Sequence, residues 1–270
     1  MFRILLALFL SLPLLAGCSS TNKDEAAAPE RPAQELFDEG SKNLEKERYQ
    51  AASKAFDELE RLHPYSDLAP KAKLLSAQAH YLNEDYDEAI IGFDQFLQLH
   101  PSHPDAPFAL YQKALCYYEQ ISDVSRDQDM TRHAMEVLEL VRQRYPNSGE
   151  AKEAAIKLDL TRDHLAGKEM EIGRWYQRQG QLQAAIARFR TVIDQYQVTS
   201  HTPEALHRLV ESYLQVGLKE EARRTAVVLG HNFPGSKWYQ DSYRLIADPS
   251  MPPADAKQPG LLARTFKDIF

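Results

Sequence analysis

An alanine, a bulky or apolar residue four positions later and an apolar residue three after that recur five times along the chain. The instances are Ala52/Phe56/Leu59, Ala89/Phe93/Phe96, Ala134/Leu138/Val141, Ala185/Phe189/Val192 and Ala222/Ala226/Leu229. Steps of four and three put each trio on one face of a helix. Twelve residues after each alanine stand Pro64, Pro101, Pro146, Gln197 and Pro234. Proline cannot continue a helix and fixes the exit turn, and only the fourth instance departs. Twelve residues before the alanines lie Gly40, Ala77, Gly173 and Val210. In the third instance the small residue is Ala114, displaced by an eight-residue insertion, Asp123–Met130. Small residues on both helices would let an antiparallel pair approach closely, so each instance predicts one helical hairpin. The chain is thus expected to be all-α, a solenoid of five hairpins.

The period is 37 residues, lengthened by the eight-residue insertion between Ala89 and Ala134 and by 14 residues between Ala134 and Ala185. Fourteen residues are just under four α-turns, so a helix absorbs them and keeps its apolar face in phase. A long helix is therefore predicted over 150–179, continuous or bent near Gly167. The pattern is similar to the tetratricopeptide repeat, with a longer period, and such stacks form solenoids with a concave face. The expected units are 34–66, 67–104, 105–148, 149–200 and 201–236, followed by a closing helix, for a solenoid spanning 34–247. Residues 248–270 read as a proline-rich linker and a short amphipathic tail. In that tail Leu262, Phe266, Ile269 and Phe270 fall on one helical face.

The amino-terminal segment adds an address. One basic residue, Arg3, precedes an apolar run from Ile4 to Leu15, too short for a spanning helix and proportioned like a signal-peptide core. Leu15-Ala16-Gly17-Cys18 resembles the lipobox of bacterial lipoproteins. That resemblance implies removal of residues 1–17 and acylation of Cys18, and residues 18–33, rich in Ala, Pro and charges, read as a flexible tether. Ser19, in place of Asp, implies transfer to the outer membrane. Three acyl chains anchor a protein at a membrane more firmly than one.

Composition narrows the functions. A net charge of −7 and a pI of 5.7 make a poor general ligand for nucleic acid. With Cys18 assigned to lipid, Cys116 has no partner and reads as a buried thiol acting as a small hydrophobe. No phosphate loop, His-Glu-x-x-His or Gly-x-Ser-x-Gly occurs. Asp123, Ser125, Asp127 and Asp129 have the spacing that opens a calcium loop, but Gln128 replaces the required glycine and Ala134 the closing glutamate. Glu211-Ser212-Tyr213 falls within a repeat helix with no catalytic domain after it. His63, His100 and His103 lie in two inter-repeat loops without ligand spacing. No enzyme, metal site or cofactor is expected.

The lipobox, tether and five hairpins together resemble the BamD family of lipoproteins, components of the outer-membrane β-barrel assembly machinery. The most specific stretches are Arg144-Tyr145-Pro146-Asn147-Ser148, Thr161-Arg162-Asp163-His164-Leu165-Ala166 and residues 171–180, with Arg126–Arg132 resembling the third-hairpin insertion of some members. The resemblance implies a lipid-anchored scaffold facing the periplasm. Its implied partners are the POTRA domains of a barrel-forming subunit, smaller lipoproteins and the C-terminal signals of unfolded barrel proteins. Arg188 lies where that family carries an arginine paired with an acidic residue of the barrel subunit. Departures exist: His63-Pro64-Tyr65-Ser66 has His where Tyr-Pro is familiar. From the residues themselves, Tyr49, His80, Tyr81 and Tyr117 are candidates for the floor and rim of a substrate groove, aromatics of the kind that anchor interfaces. The alternative function is that of a periplasmic adaptor for peptidoglycan or cell-division enzymes.

Overall fold

The computed structural model describes residues 31–246, so Cys18, the signal segment, most of the tether and the tail lie outside the described residues. Eleven helices occupy the described part. They are α1 (Ala33–Glu45), α2 (Tyr49–Leu62), α3 (Ala69–Leu82), α4 (Tyr86–Leu99), α5 (Ala106–Glu119), α6 (Asp129–Arg144), α7 (Gly149–Arg178), α8 (Leu182–Gln195), α9 (Thr202–Gln215), α10 (Lys219–Asn232) and α11 (Lys237–Ile246). They pair as α1/α2, α3/α4, α5/α6, α7/α8 and α9/α10, and α11 closes on α9 and α10. The first helices of successive hairpins also touch: α3 with α5, α5 with α7, α7 with α9. Those helices line the inner side of the stack.

Punctuation follows the prolines. α2, α4, α6 and α10 each end two residues before Pro64, Pro101, Pro146 and Pro234, because the residue before a proline is pushed out of helical geometry. Pro70, Pro107 and Pro203 sit in the first turns of α3, α5 and α9, where no helical N–H partner is lost. Four hairpin turns place one residue in the left-handed region: Glu47 (φ 56°), Glu84 (φ 64°), Gly180 (φ 71°) and Gly217 (φ 84°). The third hairpin replaces that turn with the Asp123–Met130 insertion.

Within the hairpins the close approach is not small residue on small residue throughout. A Cβ on Gly40 would stand 2.5 Å from Phe56 Cε1, and one on Gly173 would stand 2.5 Å from Phe189 Cε1. In these two units the glycine admits the ring of the partner helix, and both rings are fully buried. The second unit has the expected small pair, Ala77 against Gly92. The four-three periodicity identifies the buried rings but not the helix that receives them.

Neighbouring hairpins share a polar tie as well as an apolar core. Asp57, Asp94 and Glu139 each lie five residues after the repeat alanine. They accept hydrogen bonds from the next inner helix: from Ser76 Oγ at 2.6 Å, Lys113 Nζ at 2.7 Å and Arg162 Nη2 at 3.0 Å. The fourth unit carries Arg190 at this position.

α7 is one continuous helix of 30 residues, about 45 Å long at 1.5 Å per residue. Ser148 caps it, its Oγ accepting from Ala151 N at 3.1 Å. Ala151, Ala154 and Leu158 belong to the core of the third hairpin, whereas Ala166 and Met170 belong to the core of the last two. A single helix therefore joins two cores. Cys116 is buried in α5, and burial pushes its thiol up to about 12.

Candidate functional site

Arg188 projects from α8 beside the packed stripe of Ala185, Phe189 and Val192, all fully buried. Its Nη1 meets Glu169 of α7 at 3.0 Å to Oε2 and 3.4 Å to Oε1. The arginine side chain is 42% exposed and the glutamate 19%. Arg188 is thus neither simply solvated nor paired along its own helix: its partner lies across the hairpin. A guanidinium has five N–H donors in a planar fork, and only Nη1 faces Glu169. Nearby Tyr196 is raised above the usual phenol range, chiefly by burial and then by the Glu169 charge, with Arg132 opposing. Arg132, Glu169, Arg188 and Tyr196 therefore form one polar neighbourhood where α6, α7 and α8 meet.

The amino-terminal candidates lie at one edge of the stack. His80 and Tyr81 end α3, Tyr117 stands near the end of α5, and Tyr49 opens α2. His80 and Tyr117 share a repeat position on helices that touch. Their environments differ. Tyr81 packs edge-on against Tyr86 at 5.9 Å and contributes to the core between α3, α4 and α5, where burial pushes its phenol up to about 12. Tyr117 leans on His133 at 5.3 Å, and His80 Nδ1 lies 3.7 Å from Asp85. Tyr49, His80 and Tyr117 are half-buried and keep a face toward solvent.

The other singled-out residues have structural occupations. His100 and His103 pack on Phe96, at 5.5 and 5.3 Å between ring centres, and His63 Nε2 meets the Arg31 carbonyl at 2.7 Å. Asp123 accepts from Ser125 N and Asp127 from Asp129 N, so these carboxylates shape their own turns and sit below the usual carboxylate range. Glu211 is held down to about 2 by His207 first and then by Arg208, against the opposing effect of burial. Ser212, fully buried, donates to the Arg208 carbonyl, and His207 Nδ1 meets Ser242 Oγ at 2.8 Å, which pins α11 to α9.

Two features escaped the sequence reading. Gln128 is buried at the centre of the insertion: its amide donates to the carbonyls of Asp123 and Arg126, and its oxygen accepts from Thr131. Behind that loop a cleft of about 420 Å³ opens against the middle of α7. Nothing in the periodicity marks either one, since both depend on where the insertion folds back.

Comparison with known proteins agrees with this architecture. The model of the YfiO family, described as an outer membrane lipoprotein, matches residues 29–229. The outer membrane protein assembly factor BamD of Caulobacter vibrioides is 48% identical over 241 residues, covering 89% of this chain and 79% of that protein. The protein of the same name from Rickettsia prowazekii is 42% identical over 244 residues, covering 90% and 96%. Among solved structures, the tetratricopeptide domain of P58(IPK) aligns with 79% of this chain and 55% of its own, with a TM-score of 0.42 and 14% identity, too loose a likeness to add to the helix geometry above. Matched over most of its length by both the family model and these relatives, the chain belongs to the YfiO family of outer membrane lipoproteins.

Proposed function

We propose that the protein is a non-catalytic scaffold of the β-barrel assembly complex, acting in the assembly and insertion of outer membrane proteins. The role in outer membrane protein assembly rests on relatives that carry that name across most of the chain. Anchoring through acylated Cys18 in the inner leaflet of the outer membrane, with the solenoid in the periplasm, follows from the lipobox-like Leu15-Ala16-Gly17-Cys18. The barrel subunit docks through a POTRA domain at Arg188. The observation that carries this docking site is the half-exposed guanidinium, oriented by Glu169 through one nitrogen and otherwise open. Unfolded substrates bind through their C-terminal strand on the concave surface of the first two or three hairpins, with Tyr49, His80 and Tyr117 as contacts and Tyr81 supporting them from within the core.

The test is affinity isolation of the full-length acylated protein from detergent-solubilised outer membrane. Wild type should bring down a β-barrel subunit. Arg188→Glu should lose it while retaining the helical circular dichroism spectrum. A desolvated charge pair broken on one side costs about 2–5 kcal/mol, about thirty-fold or more in affinity. Retention of the barrel subunit at wild-type affinity would overturn the docking site, and isolation of wall enzymes instead would favour the adaptor reading.

A further inference from the structure

The cleft at the middle of α7 is bounded by three separate parts of the chain. The insertion supplies Asp123, Val124 and Ser125; α7 supplies the floor; the α8–α9 turn supplies His201. Two side-chain atoms of the floor, His164 Nε2 and Glu171 Oε2, are buried and have no hydrogen-bond partner. They are seven residues apart, hence two turns along one face of α7. Buried polar atoms in folded proteins are nearly always paired, so two orphans in one cleft point to a ligand. Glu169, which orients Arg188, lies two residues from Glu171, about 200° around the helix. The cleft is therefore a different surface from the Arg188 site.

The charges on the lining select the ligand. Asp123, Asp163 and Glu171 line the cleft together with one arginine, Arg174, and Lys168 lies beside it. Arg174 meets Glu204 at 3.2 Å, and Lys168 Nζ donates to the Ser125 carbonyl at 2.9 Å. Asp163 Oδ1 accepts from the Ser200 N–H and hydroxyl, at 2.9 and 2.8 Å, and its Oδ2 lies 3.6 Å from His201 Nε2. The lining carries three carboxylates, and one oxygen of Glu171 is bound to nothing. An ammonium would serve such a site as a point charge, whereas a guanidinium reaches several acceptors at once with a planar fork. We propose that this cleft receives an arginine side chain from a partner protein, with Glu171 as its main acceptor. Because the lining comes from both sides of the α7 joint, an arginine seated there would tie the third hairpin to the last two.

The test uses the full-length acylated protein in detergent micelles, labelled with ¹³C in its histidine rings and titrated with acetyl-Gly-Arg-Gly-amide. The control is the citrulline counterpart, of the same shape without charge. The ring signal of His164, identified by its loss in His164→Gln, should shift saturably with the arginine peptide in the millimolar range. Citrulline should bind about tenfold more weakly or less, and Glu171→Gln should weaken arginine binding by a similar factor. No saturable shift at His164, or an equal response to the two peptides, would overturn the proposal. So would wild-type binding by a Glu171→Gln protein whose other histidine signals are unmoved. If that variant disturbs α7, the comparison of arginine with citrulline on the wild-type chain decides alone.

Discussion

The contact between Gly173 and Phe189 makes a quantitative forecast. Replacing Gly173 with alanine adds one methyl group in the middle of α7, where helix propensity alone favours alanine by about 1 kcal/mol. The new Cβ would stand 2.5, 2.8 and 3.0 Å from three atoms of the Phe189 ring. Carbon atoms in contact sit about 3.5–4.0 Å apart, so ring and helix must separate by about 1 Å. Phe189 is fully buried and surrounded by the largest core cluster, which leaves the ring nowhere to swing. Overpacking of this kind costs about 1–3 kcal/mol, and three simultaneous overlaps put it toward the upper end. The net expectation is a loss of about 1–2 kcal/mol, which lowers Tm by about 2–8 °C for a domain of this size. Thermal melts followed at the helical circular dichroism band read it directly. Gly149→Ala is the matched control: a Cβ there meets nothing within 4 Å, so the melt should hold or rise. Phe189→Leu should cost less in the Gly173→Ala background than in the wild type, a coupling that a double-mutant cycle isolates. A Gly173→Ala protein melting at or above the wild-type temperature, or a zero coupling, would refute the ring-in-glycine argument.

Ser148→Ala removes the side-chain acceptor at the start of α7 and should cost about 1 kcal/mol, with faster hydrogen exchange at the Ala151 amide as its local mark. Glu211 predicts an acid response at the carboxy-terminal end. Its folded pKa of about 2 lies below the ordinary glutamate value of 4.5. The stability it contributes is therefore complete above about 4.5 and is lost as pH falls from there through 2. Trp238, whose ring lies 5.2 Å from His207, reports the loosening of α11 by fluorescence in a Trp175→Phe background. In Glu211→Gln that acid transition should flatten, and an unchanged one would remove Glu211 as its cause.

The hairpins were legible because burial in a stack repeats with the chain. Ala52, Ala89, Ala134, Ala185 and Ala222 are all fully buried, and a recurring four-three step after each alanine, with a proline twelve residues on in four of the five, exposes such a set without any knowledge of contacts. The long α7 was legible for the same reason, since the apolar phase survives the extra residues. The partner of each side chain was harder to see. Glu169 pairs with Arg188 across 19 residues and two helices, and amphipathic phase fixes which way a residue faces but not what faces it. One signal was available and overlooked. Asp57, Asp94 and Glu139 stand at the same repeat position, and a repeated acid there foretells a repeated donor on the next inner helix. The cleft at α7 had no such signal. It arises where the one insertion that breaks the period folds back on the helix, and repeat logic is silent about what is unique.

The shared helix α7 also governs which changes in length the protein can survive. Between other hairpins the chain passes through a loop, and loops absorb added residues at small entropic cost; the third hairpin carries eight extra residues in its turn without losing its core. Between Leu158 and Ala166 there is no loop. One residue added or deleted there would turn everything beyond it by about 100° and shift it by about 1.5 Å. The last two hairpins, with Arg188, would then face a different direction from the first three. Length variation in relatives should accordingly collect in the turns and be missing from this stretch, or appear in steps close to whole helical turns. The angle between the first three hairpins and the last two is thus written as a number of residues in one helix.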